Sequence, residues 1–146
     1  MNHRPIYTKN GRLSSVLVTA ANTSSQGGGT VATDIFLLFT AGAEGAYVDF
    51  VRWIATATAP ANTTATVARI FRSTVSAGVT TSANTHLIGE VTLPLVAADN
   101  ATTAVNAFDF PLGIALAAGE TLLVTNHAAP AATTAWRAVV MGAGDY

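Results

Sequence analysis

The feature that most constrains this chain is a succession of short segments rich in Val, Ile, Phe, Thr and Trp, each closed by a cluster of Gly, Pro, Asn or Asp. Strands are expected at about 16–19, 33–40, 46–58, 65–73, 85–93, 105–110, 120–126 and 135–142. The breakers between them are Gly42 and Gly45, Pro60-Ala61-Asn62, Ser76-Ala77-Gly78, Asp99-Asn100, Pro111 with Gly113 and Gly119, and Pro130. No segment holds a 3.6-residue apolar period over the roughly 11 to 18 residues that an amphipathic helix needs. Residues 114–118 allow one helical turn at most. Eight strands fit a two-sheet, jelly-roll-like β-sandwich better than an immunoglobulin-like one of about seven. The longer gaps, at residues 22–30 and 94–104, suit connections that cross between sheets.

A chain of 146 residues fits one such domain with a real core. Its surface is unusual, because charged residues are only 10% of the sequence and hydrophobic types 50%, against about 25% charged in an ordinary soluble domain. Ala occurs 29 times and Thr 22 times, so many side chains are short and lose little entropy on packing. Such a surface suits close contact with other subunits. The most apolar stretch, from Ile35 to Phe39, is far below the 18 or so residues of a membrane-spanning helix. The start, Met1-Asn2-His3-Arg4-Pro5, has no apolar segment behind it and reads as cytoplasmic rather than secretory. With no cysteine, disulfides, thiolate zinc sites and thiol catalysis are excluded together.

Charge is distributed unevenly. Arg4, Lys9 and Arg12 give the first 33 residues +3, and the remainder carries −4. Residues 1–14, polar and broken by Pro5 and Gly11, read as an extended basic arm ahead of a sandwich at 15–146. The Gly27-Gly28-Gly29 loop is not followed by a helical pattern, so it is no phosphate cradle.

A strand with one face in water alternates apolar and polar residues. In the segment Ile35-Phe36-Leu37-Leu38-Phe39, both faces are apolar. In the next segment one face is Val48/Phe50/Arg52/Ile54 and the other Asp49/Val51/Trp53. One face of each should line the core, and the second must be covered by long loops or by another subunit. Tyr47, Phe50, Arg52, Trp53 and Ile54 are residue types enriched at interface centres, and they are expected at an oligomer contact.

Catalytic chemistry finds little support. The three histidines, His3, His86 and His127, are dispersed. His86 and Glu90 share a strand but lack the third ligand a transition-metal site requires. Serines fall in turns without a nucleophile-elbow pattern. Asp109 and Glu120 are the one pair of carboxylates to weigh for glycoside hydrolysis, and Asp109 between Phe108 and Phe110 reads better as a solvated or arginine-paired group. No catalytic residue, metal or cofactor is expected. Trp53, Trp136, Tyr7, Tyr47 and Tyr146 are the aromatics available to a sugar, but both tryptophans lie in strands, where packing is the commoner fate. An acidic body with a dispersed basic arm argues against nucleic acid.

The run Leu38-Phe39-Thr40-Ala41-Gly42-Ala43-Glu44-Gly45-Ala46-Tyr47-Val48-Asp49-Phe50-Val51-Arg52 resembles small structural proteins of tailed bacteriophages. The similarity continues through Val67-Ala68-Arg69-Ile70-Phe71, Leu87-Ile88-Gly89-Glu90-Val91 and Phe110-Pro111-Leu112-Gly113-Ile114. It then takes in Ala118-Gly119-Glu120-Thr121-Leu122 and Gly142-Ala143-Gly144-Asp145-Tyr146, spanning Ile35 to the end. It implies a virion protein on the capsid surface, made in the host cytoplasm. The implied role is that of a cement or decoration protein, commonly a homotrimer bound to the major capsid protein. Such proteins often carry a basic residue where this chain has Phe50 and Ile54. On this reading the arm residues Arg4, Tyr7, Lys9 and Arg12 grip the shell, through main-chain pairing and salt bridges to acidic groups. The alternative within virions is a tail fibre or spike domain that binds host glycans.

Overall fold

β-branched and aromatic residues fit a pleated, half-buried surface, and the segments that carry them are strands. The computed structural model describes residues 10–99 and 105–146, which contain no helix. Eight main strands build the described fold: β1 (Ser15–Val18), β2 (Phe36–Thr40), β3 (Ala46–Ala57), β4 (Thr66–Ser73), β5 (Thr85–Leu93), β6 (Ala107–Leu116), β7 (Thr121–Asn126) and β8 (Thr134–Met141). Their pairing is nested and antiparallel: β1 with β8, β2 with β7, β3 with β6 and β4 with β5. Because β3 also pairs with β8, and β7 with β4, the nested hairpins divide into two sheets. The orders β6-β3-β8-β1 and β2-β7-β4-β5 make two antiparallel sheets packed as a β-sandwich.

Two short strands, Asn10–Arg12 and Ala143–Asp145, pair with each other and continue β1 and β8. Of the arm expected at 1–14, residues 10–14 are therefore tied into the sandwich. Arg12 donates to Asp145 at 3.0 Å and to the Thr40 carbonyl at 2.8 Å, and its guanidinium lies 4.8 Å from the Phe39 ring centre. Ser14 donates to the Leu38 carbonyl.

The core lies between the sheets. Val51, Trp53 and Trp136 from the first meet Phe39, Ile70 and Leu122 from the second, and all are almost wholly buried. Phe108 meets Trp136 edge to face at 5.7 Å. A smaller cluster lies on the opposite face of the second sheet, where Ile35, Phe71 and Leu123 are fully buried beside Val31 and Leu37. Its cover is the chain's own segment ahead of β2. The Asn22 main-chain amide donates to the Asn126 carbonyl, and Gly29–Thr30 pairs with Val79–Thr80. Both faces of β2 are apolar because both are buried within one chain. The loop explanation accounts for this strand, and no subunit contact is needed there.

Two expectations change in detail. The segment expected to end at 110 continues as β6 to Leu116, with Leu112 and Gly113 forming a bulge where the register to β3 shifts. The helical turn at 114–118 is thus mostly strand. Pro111 is tolerated because β6 is an edge strand, bonded on one side only. At the β2 end the expected strand starts late, since Thr33 and Asp34 bond back to the Thr30 carbonyl in a turn.

The open side of the sandwich, between edge strands β5 and β6, is closed by a ring set against a glycine. A Cβ placed on Gly89 would overlap the Phe110 ring. Gly89→Val should destabilise the fold by about 1–3 kcal/mol through overpacking. Urea denaturation checks this, and in a Phe110→Ala background the cost should shrink, because the two positions share one space.

Candidate interaction face

The outer face of the first sheet is set by a slip in the alternation of β3. Ala46 and Val48 point into the core, and so do Val51, Trp53 and Ala55. Two successive residues, Asp49 and Phe50, therefore lie on the outside. The slip coincides with the β6 bulge on one side and with Gly142 on the other. Gly142 has φ +61°, and a Cβ there would lie 2.7 Å from the Asp49 Cβ, so only glycine fits comfortably.

This phase assigns the sequence candidates. Tyr47, Phe50, Arg52 and Ile54 share the outer face and are half-buried. Trp53 does not belong with them. It is fully buried in the core, since the slip carries Val51 and Trp53 inward together. In register across the sheet, one row reads Ala107, Ile54, Arg137, Leu17 and the next Asp109, Arg52, Val139, Ser15. A third reads Pro111, Phe50, Met141. The sequence reading missed Leu17, Arg137, Val139 and Met141. Their signal is the alternation of β8, in which these last three interleave with Trp136, Ala138 and Val140, Arg137 and Met141 being half-buried and Val139 buried.

Arg52 donates to Asp109 through Nε at 2.7 Å and Nη2 at 2.8 Å, a bidentate pair, and its guanidinium lies 5.6 Å from the Phe50 ring centre. These hydrogen bonds hold the Asp109 carboxyl below its ordinary pKa and raise that of Arg52, with charge attraction adding to both. The pair makes this part of the face close to neutral. Arg137 differs, because its side chain donates to a neutral group, Ser15 Oγ, at 3.3 Å. Of the five arginines among the described residues, the other four are in ion pairs. Beside Arg137 runs a shallow groove of about 350 Å³ lined by Leu17, Thr56, Thr58, Thr133 and Ala135.

The remaining candidates lie apart. Arg4, Tyr7 and Lys9 fall outside the described residues, and Arg12 is engaged by Asp145. Glu90 is held by Arg69 at 2.6 Å, while His86 stands opposite Arg72 on the neighbouring strand. Asp109 and Glu120 are each taken up by a different arginine. Among the described residues no group of three His, Cys, Asp or Glu is placed to hold a metal ion.

Glu120 occupies the turn between β6 and β7. It accepts from Arg72 Nε at 3.0 Å and from Arg72 Nη2, and also from the Ala117 amide at 2.7 Å. The Arg72 bonds chiefly hold its pKa below the ordinary 4.5, against the opposing effect of burial. Its contribution to stability is therefore fully present above that unfolded value and is lost as pH falls through the lower folded one. Melting temperature should fall less for Glu120→Gln than for the parent between about pH 6 and about pH 3. Equal losses would show that this carboxylate does not carry acid sensitivity. Comparison of the chain with protein families, with curated protein sequences and with solved structures gives no match.

Proposed function

We propose that this chain is a non-enzymatic assembly subunit, a cement or decoration protein that self-associates and binds the major capsid protein on the surface of a virus shell. One observation carries the self-association. The chain covers the outer face of its second sheet with its own segment, whereas among the described residues the outer face of the first carries the half-buried Leu17, Phe50, Ile54 and Met141 in adjoining rows around the buried Val139. Contiguous apolar surface of this kind, rimmed by polar groups, marks an interaction site. The low charge of the chain, 10% of residues, supports the same reading, because a subunit inside an assembly has less surface to solvate.

The capsid as partner rests on the resemblance to phage structural proteins and on the basic segment ahead of Asn10. Arg12 already has a partner in Asp145. The grip on a shell is therefore assigned to Arg4, Tyr7 and Lys9, with Arg4 and Lys9 pairing to acidic groups of the capsid protein.

Co-sedimentation with shells assembled from the major capsid protein of the same virus tests this. The full chain should pellet with the shells, and a variant lacking residues 1–9 should stay in the supernatant while melting at an unchanged temperature. No binding by the full chain would overturn the capsid reading. Undiminished binding by the shortened chain would overturn the role of the arm.

A further inference from the structure

An apolar sheet face can stack on many others, so its few charges decide its partner. On this face two charged groups lack a counterion among the described residues: Arg137, which donates to Ser15 Oγ, and Asp49, exposed at the alternation slip and absent from the ion pairs. Arg137 stands opposite Ile54, five residues along β3 from Asp49, so the two lie roughly 17 Å apart along the strand direction. They flank the Phe50 and Arg52 rows, and they sit on neighbouring strands about 4.8 Å apart.

We infer that this face binds a second copy of the chain about a two-fold axis in the plane of the interface and perpendicular to the strands, so that Arg137 of each copy pairs with Asp49 of the other. Such an axis reverses position along the strands and preserves strand order. It brings each Arg137 over the Asp49 end of the partner with a lateral offset of one strand, within reach of an arginine side chain. The arrangement is self-complementary, as a two-fold interface must be. A three-fold ring, by contrast, joins two different patches and makes no use of opposite charges at the two ends of one face.

The size is suitable. The 12 residues of β3 and the width of four strands give on the order of 600 Å² of projected surface per copy, near the roughly 800 Å² per partner of a standard interface. The centre is suitable too. Arg52 and Asp109 satisfy each other through two hydrogen bonds before the copies meet, so stacking covers a paired group rather than a bare charge.

This inference rests on the self-association proposed above, and a charge swap separates the two. Sedimentation velocity on the full chain should show a dimer. Arg137→Glu and Asp49→Arg should each weaken it by at least about tenfold, since each change places like charges together twice per dimer. The double variant should recover the dimer, and thermal melting of all three should establish that they are folded. A chain that associates but ignores both reversals, or that forms a trimer, overturns the two-fold pairing and leaves self-association standing. A chain monomeric at every concentration overturns both, while co-sedimentation with shells tests the capsid partner independently.

Discussion

A sheet whose strands are apolar on both sides has to be covered on both sides, and this requirement organises the whole molecule. Burying apolar surface is worth roughly 25 cal/mol per Å², and a chain with 10% charged residues has few means of solvating the faces it leaves open. The second sheet meets the requirement internally. β7, one of its two central strands, is buried at every residue, with Leu122 and Val124 turned to the main core and Leu123 to the cluster under the segment ahead of β2. Among the described residues, the first sheet meets it on one side only. Trp53, Trp136 and Val51 fill the sandwich, while Phe50 and Ile54 face outward and are half-buried.

The edges constrain where a partner can dock. Open strand edges invite pairing with another chain unless something blunts them. β6 carries Pro111 and a bulge, and β5 carries a register shift opposite Ile70 and Phe71. The contact between Gly89 and Phe110 draws these two edges together across the sandwich. On the other side, Arg12 and Ser14 bind carbonyls of Thr40 and Leu38 and so fasten the edge strands β1 and β2 to each other. With its edges occupied in these ways, the sandwich offers association through a face more readily than through strand addition.

How much of this was legible in the sequence follows from which forces act locally. All eight main strands were readable, because their residue types and the Gly, Pro and Asn breakers between them are local signals. The length of β6 was not. Pro111 and Gly113 read as stops, yet an edge strand loses no ladder bond at a proline, and Gly113, at φ +59°, absorbs the bulge. Nor could polar Asn10-Gly11-Arg12 announce a strand, since its pairing comes from Ala143–Asp145 at the far end of the chain. Phe50, Arg52 and Ile54 were placed together by their spacing, and Trp53 was added on residue type alone. Plain alternation already sets Trp53 opposite them, and the slip at Asp49 and Phe50 is what brings Tyr47 onto their face and turns Val48 away from it. Arg137 went unnoticed for a related reason, because its significance lies in having no carboxylate partner among the described residues, which is a property of the fold.

Scarcity of charge makes each ionic group informative. In a surface crowded with lysine and glutamate, an unpaired arginine would mean little, for exposed pairs contribute about 1 kcal/mol or less. Here Arg12, Arg69 and Arg72 tie separate strands and turns together, and Arg52 neutralises the middle of the open face. Among the described residues, what remains on that face is one positive and one negative group at opposite ends. A flat apolar surface specifies neither register nor orientation, since sliding it by one row exchanges one aliphatic contact for another. Two separated opposite charges specify both, because a shift or a parallel stacking leaves each without its counterion as water is excluded.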